Sequence, residues 1–253
     1  EHRRRGRSFH ERMLINMPNL ATDGLGPAQI RAMMNLEQSF KENRPRALFE
    51  VVSQAERTAA ALRFIERLLK FAEARRVLFL VNSTGMGQEL VQTIRDLIPP
   101  DAGMPFIQAF PVQHLTENRI DPEARLCITT LPRLHRMLTG QDVEEKANVQ
   151  RKETALPALD YNVDFPIETF DVVIMDTCNA SVIPYFWPAL AYFDAYVVGL
   201  TSKADPTAAD FFDQNLVMRV RDQQCQTDGL NVLSRPLPDS SSERHPLSGV
   251  VSC

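Results

Sequence analysis

Cysteine is sparse in this chain: the four residues at 127, 178, 225 and 253 are too few and too scattered for a disulfide scaffold or a zinc knuckle. They read as core or incidental thiols in a reducing compartment. An excess of positive charge is also lacking, since 28 Lys and Arg face 32 Asp and Glu and leave a formal net charge of -4. That balance excludes nucleic-acid binding through overall charge and leaves a local basic groove open. No apolar run approaches the roughly 20 residues of a membrane-spanning helix. The opening Glu1-His2-Arg3-Arg4-Arg5-Gly6-Arg7 lacks the apolar centre of a signal peptide. The expectation is a cytoplasmic protein without membrane contact.

What is present is ordinary globular composition, 44% hydrophobic and 24% charged over 253 residues, which excludes a disordered or fibrous chain. From Gly24 onward short apolar runs alternate with amphipathic stretches, the pattern of β-α-β units around a parallel sheet. Gln29 to Leu36 has helical spacing with Pro27 near its start, Arg46 to Val52 reads as a strand, and Thr58 to Phe71 as an amphipathic helix. Val77-Leu78-Phe79-Leu80-Val81 is the continuous apolar run of a strand buried on both faces. A helix from about Gly87 to Leu97 stops at Pro99-Pro100. Arg125 to Thr130, Phe170 to Asp176 and Ala195 to Thr201 supply three further buried strands, each ending in polar residues. The stretch from Gly140 to Pro166 is polar and charged and reads as an excursion from the core.

These features predict an α/β fold in three layers, a mainly parallel sheet flanked by helices. Three units are expected: a charged N-terminal tail over 1–23, one domain over 24–222 and a C-terminal tail over 223–253. Ser53 to Thr58, Asn82 to Gly85, Thr129-Thr130, Asp176 to Asn179 and Thr201 to Ala204 each follow a buried strand. Parallel strands deliver such ends to one edge of the sheet.

Several stretches in register carry a family resemblance. They are Gly26-Pro27-Ala28-Gln29, Asn35-Leu36-Glu37-Gln38-Ser39, Arg44-Pro45-Arg46-Ala47-Leu48, Leu68-Leu69-Lys70-Phe71-Ala72, Phe170-Asp171-Val172-Val173-Ile174, Ala191-Tyr192-Phe193-Asp194-Ala195-Tyr196 and Phe211-Phe212-Asp213-Gln214-Asn215-Leu216-Val217. Over roughly Gly24 to Asn231 the chain resembles the restriction subunit of type I restriction-modification enzymes, in its first superfamily-2 helicase motor domain, a RecA-like P-loop fold.

The resemblance implies ATP and magnesium as the family's ligands, DNA translocation as its activity, and DNA and the other restriction-complex subunits as partners. Gln29 then stands where the family reads adenine. Ser53-Gln54-Ala55-Glu56-Arg57-Thr58 stands at the phosphate loop, where backbone N–H groups, a lysine and a hydroxyl meet phosphates and magnesium. Gln54 and Glu56 replace glycines, so side chains fill space the phosphates need and the backbone loses glycine's freedom. Arg57 replaces the lysine with a planar fork, and Thr58 is unchanged. Asp176-Thr177-Cys178-Asn179 stands for Asp-Glu-Cys-His. Thr177 cannot accept a proton at neutral pH, and loss of a general base removes about 10²–10⁴-fold of rate. Any magnesium ion falls to Thr58 and Asp176. Thr129 and Thr130 stand at a position for gripping DNA, and Thr201-Ser202-Lys203-Ala204 where the family couples nucleotide state to DNA.

The leading expectation is therefore a degenerate motor-type domain without ATP hydrolysis, with no cofactor, and with its C-terminal tail cut short before a second motor domain. Two alternatives stay open: an ATP-dependent translocase module completed by other chains, and a non-enzymatic module that binds DNA or a partner subunit.

Overall fold

A run such as Val77 to Val81 has no polar face, so its strand is stable only where both sides of the sheet are covered. The computed structural model covers them. It describes residues 8–22, 26–99, 104–140, 158–176, 178 and 182–220.

In chain order the elements are α1 (Phe9–Asn16), α2 (Pro27–Lys41), β1 (Arg46–Val51), α3 (Gln54–Lys70), β2 (Val77–Val81), α4 (Thr84–Asp96), α5 (Phe106–Ala109), β3 (Val112–His114), β4 (Leu126–Thr130), α6 (Leu131–Thr139), β5 (Val172–Asp176), α7 (Ile183–Leu190), β6 (Tyr196–Thr201), α8 (Pro206–Phe211) and β7 (Leu216–Val220). The seven strands form one sheet in the order β3-β4-β2-β5-β6-β1-β7. Every pairing is parallel. The expected α/β architecture is the one observed.

Strand residues alternate between two cores, as a two-residue side-chain period requires. Phe49, Val51, Phe79, Ile128, Ile174 and Val198 face the helices α1 to α5. Leu48, Leu78, Leu80, Cys127, Val173 and Val197 face α6 to α8. One glycine is needed for this packing. A Cβ on Gly199 of β6 would lie 2.4 Å from Phe212 Cζ and 2.7 Å from Cys178 Sγ, so the bare backbone lets Phe212 close on the sheet.

Part of the segment expected as a charged tail over 1–23 is instead a helix. Ser8 Oγ accepts from Glu11 N, and Glu11 Oε2 accepts from Ser8 N, a reciprocal cap that starts α1. Phe9 and Met13, one turn apart, are buried, with Phe9 against the rings of Phe40 and Tyr196. Arg12 Nε donates to Ala72 O at 3.0 Å and its Nη2 lies 3.6 Å from Asp171. Only two inward apolar positions in eight residues, next to a basic run, make this helix faint in the sequence. The strands β3 and β7 and the helices α6, α7 and α8 were likewise not resolved by the apolar pattern. The tail over 223–253 and most of the excursion, 141–157, lie outside the described residues. Among the described residues no helix is long and apolar enough to cross a membrane.

Candidate functional site at the carboxyl edge of the sheet

Because all strands run parallel, Ser53, Asn82, Thr130, Asp176 and Thr201 come to one edge. The central strands β5, β6 and β1 are neighbours, with Asp176 opposite Leu200 and Thr201 opposite Glu50.

The turn from β1 into α3 is where the chain departs most from a phosphate-binding loop. Only Val52 and Ser53 separate strand from helix. Ser53 caps α3, its hydroxyl accepting from Glu56 N at 3.4 Å, so Gln54 and Glu56 lie in the first helical turn and are exposed. They belong to the helix rather than to a loop, and the Ser53 cap occupies the N–H of Glu56. The group that closes the space is Arg57. Its side chain is 6% exposed, and its Nη1 donates to Val51 O at 2.6 Å and to Val52 O at 2.8 Å. Its Nε stands 3.8 Å from Asp176 Oδ1 on β5, a carboxylate only 4% exposed. The guanidinium thus folds back onto the end of its own strand, where carbonyls and a carboxylate already neutralise it.

Beside this pair lies a cavity of about 100 Å³ between α3 and α4, lined by Gln54, Thr58, Glu89, Thr93 and Asp176 over an apolar floor that includes Phe79 and Val81. At about 30 Å³ per water it is worth roughly three waters, whereas ligand sites usually measure about 300–1,000 Å³. Thr58 and Asp176 both line this cavity; Gln29 is not among the lining residues. Gln29 Oε1 accepts from Gly26 N at 3.1 Å at the start of α2.

The remaining expected residues are placed as follows. Thr177 and Asn179 lie outside the described residues. Cys178 is buried, its N donating to Leu200 O at 3.0 Å, and burial pushes its thiol pKa well up. Thr129 and Thr130 are 1% and 4% exposed. Thr130 Oγ1 caps α6 by accepting from Arg133 N at 3.3 Å, so neither hydroxyl is presented to solvent. Thr201 Oγ1 closes a turn with Lys203, and Ser202 is exposed.

The residue missed by the sequence reading is Glu50. Buried at the end of β1, it accepts from Ala204 N at 3.0 Å and from its other oxygen lies 3.1 Å from Arg219 Nε. It therefore ties β1 to the segment after β6 and to β7. A carboxylate near the end of an otherwise apolar strand was the available signal.

No curated protein matches this chain. Among solved structures, the Hef helicase domain of Pyrococcus furiosus is similar at 15% identity and a TM-score of 0.43, over 79% of this chain. The chain spans 38% of the length of that structure. The profile of the family described as type III restriction enzyme, res subunit, matches residues 23–203, more than half of the chain. This chain, with its parallel sheet, belongs to the family of the type III restriction enzyme res subunit.

Proposed function

We propose that the chain is a motor-type domain that keeps its fold without nucleotide and does not turn over ATP, and that its nearest functional kin is the restriction subunit of type I enzymes. The observation that supports the first part is Arg57. A cation held by the carbonyls of Val51 and Val52 and by Asp176 does electrostatic work that would otherwise fall to a bound ligand. Thr177, where the family has a glutamate, offers no group to accept a proton from water. The type I assignment rests on the matching stretches from Gly26 to Val217.

The test is hydrolysis and binding measured separately. The isolated protein is expected to release no phosphate from ATP and to gain no thermal stability from magnesium ATP. Gln54→Gly, Glu56→Gly and Arg57→Lys together are expected to give measurable stabilisation, about 1.4 kcal/mol at ten times Kd, while hydrolysis stays absent. Magnesium-dependent hydrolysis by the unmodified protein, abolished by Asp176→Ala, overturns the proposal.

A second reading, an ATP-dependent module completed by other chains, draws on Thr58 and Asp176 sharing one cavity. It requires turnover to appear when restriction-complex subunits and DNA are added. A third, a module that binds DNA or a partner without chemistry, predicts weak DNA binding that falls steeply with salt, given the net charge of -4.

A further inference from the structure

A second cavity lies on the opposite edge of the sheet from Arg57 and Asp176. Its volume is about 560 Å³, within the usual range of ligand sites. The walls come from residues that precede β2, β4 and β5, which in a parallel sheet is the amino edge. Its lining includes Arg75, Arg76 and Arg119, the carboxylates of Asp164 and Glu168, and the apolar Phe165 and Ile120.

The lining segments are tied to their neighbours by hydrogen bonds. Arg76 Nε donates to Ala124 O at 2.9 Å and its Nη2 to Pro122 O at 3.1 Å. Gln113 Nε2 donates to Arg119 O and Gln113 Oε1 accepts from Asp121 N. In the segment before β5, Tyr192 Oη accepts from Asn162 N and donates to Phe165 O, both at 2.8 Å. Asn162 Nδ2 donates to Leu138 O. Arg75 and Arg76 have partners of their own, whereas three of the exposed charged ends do not. Among the described residues the side chains of Arg119, Asp164 and Glu168 make no hydrogen bond or ion pair, although opposite charges line one cavity. Arg75 is 65% exposed and pairs with Asp171 at 3.2 Å through one nitrogen.

We propose that this cavity binds a polypeptide segment presenting a carboxylate to Arg119 and Arg75 and a basic side chain to Asp164 and Glu168. Opposite charges that line one cavity without pairing are satisfied together by a ligand that carries both signs, and the hydrogen bonds that tie the lining segments lower the ordering cost of binding it. Nucleic acid is disfavoured, because its phosphates would bring negative charge against two carboxylates. Tyr161 and Val163, just before Asp164, are 62% and 76% exposed and add apolar and aromatic surface of the kind that anchors protein partners.

The test titrates the whole protein, observed by backbone amide NMR, with acetylated and amidated hexapeptides carrying one aspartate and one arginine at spacings of one to four residues. Hexapeptides with only one of the two charges and a hexadeoxythymidylate are run alongside. Saturable shifts of the Arg75, Ile120 and Thr169 amides are expected with at least one mixed-charge peptide. Arg119→Ala and Glu168→Ala, both at exposed positions, should each weaken that binding about tenfold. Absence of saturation by every mixed-charge peptide at millimolar concentration overturns the proposal. So do tighter binding by the oligonucleotide or shifts that neither variant alters. Activity toward ATP plays no part in the readout, so this result stands or falls apart from the proposed function.

Discussion

Replacing Arg57 by alanine removes a cation seated at the junction of β1, α3 and β5. Two charge-assisted bonds to Val51 O and Val52 O disappear, and each bond of that type is worth about 1.5–3 kcal/mol. The contact with Asp176 at 3.8 Å is lost as well; with an effective dielectric constant of about 20 it represents roughly 4 kcal/mol of attraction before desolvation is subtracted. Removing one member of a buried pair typically costs about 3–5 kcal/mol in total, because the other member keeps its burial penalty. The same figure is expected here, at least about a fifth of the about 5–15 kcal/mol that holds a domain together. In a chain of this size it lowers Tm by about 6–20 °C. Urea unfolding followed by circular dichroism measures it, as a fall in midpoint at constant slope. Arg57→Lys keeps the charge with a compact ammonium and should recover part of the loss. Asp176→Ala combined with Arg57→Ala should cost less than the sum of the single changes, since the two are coupled. A loss below about 1 kcal/mol for Arg57→Ala, the size of an ordinary surface effect, refutes the idea that this guanidinium holds the site closed.

Gly199→Ala is expected to destabilise by about 1–3 kcal/mol, because the new methyl meets the fully buried Phe212 ring at 2.4 Å. Gly85→Ala, whose nearest neighbour is 3.9 Å away at the start of α4, serves as the control and should be neutral or stabilising by up to about 1 kcal/mol. His135 on α6 is 3% exposed with neither ring nitrogen hydrogen-bonded among the described residues, and burial lowers its pKa from the ordinary 6.5. The unfolded chain therefore binds this proton first: the stability is complete above about pH 6.5, declines as pH falls toward the folded-state pKa, and levels below it. His135→Leu should flatten the decline measured by denaturant unfolding between pH 7 and 5, leaving a residual slope from His114, whose pKa burial also lowers. An unchanged slope refutes the assignment.

The strand cores, their alternation with helices and the common edge for their polar ends were legible in the sequence. Apolar runs such as Val77 to Val81 declare themselves locally, and the parallel arrangement follows from the alternation. Glu50, α1 and the amino-edge cavity were not legible. Their meaning depends on partners far along the chain: Ala204 and Arg219 for Glu50, and Ala72, Asp171 and Tyr196 for α1. The phosphate-loop position shows the division most clearly. Residue types alone said that glycines and a lysine were absent at 54, 56 and 57. They did not say that Ser53 would start the helix at once, or that Arg57 would turn back onto Val51 and Val52 and toward Asp176 on another strand. Side-chain period and capping act over a few residues and are written in the chain itself, whereas the direction taken by a buried charge is set by whichever carbonyls and carboxylates the assembled sheet places around it.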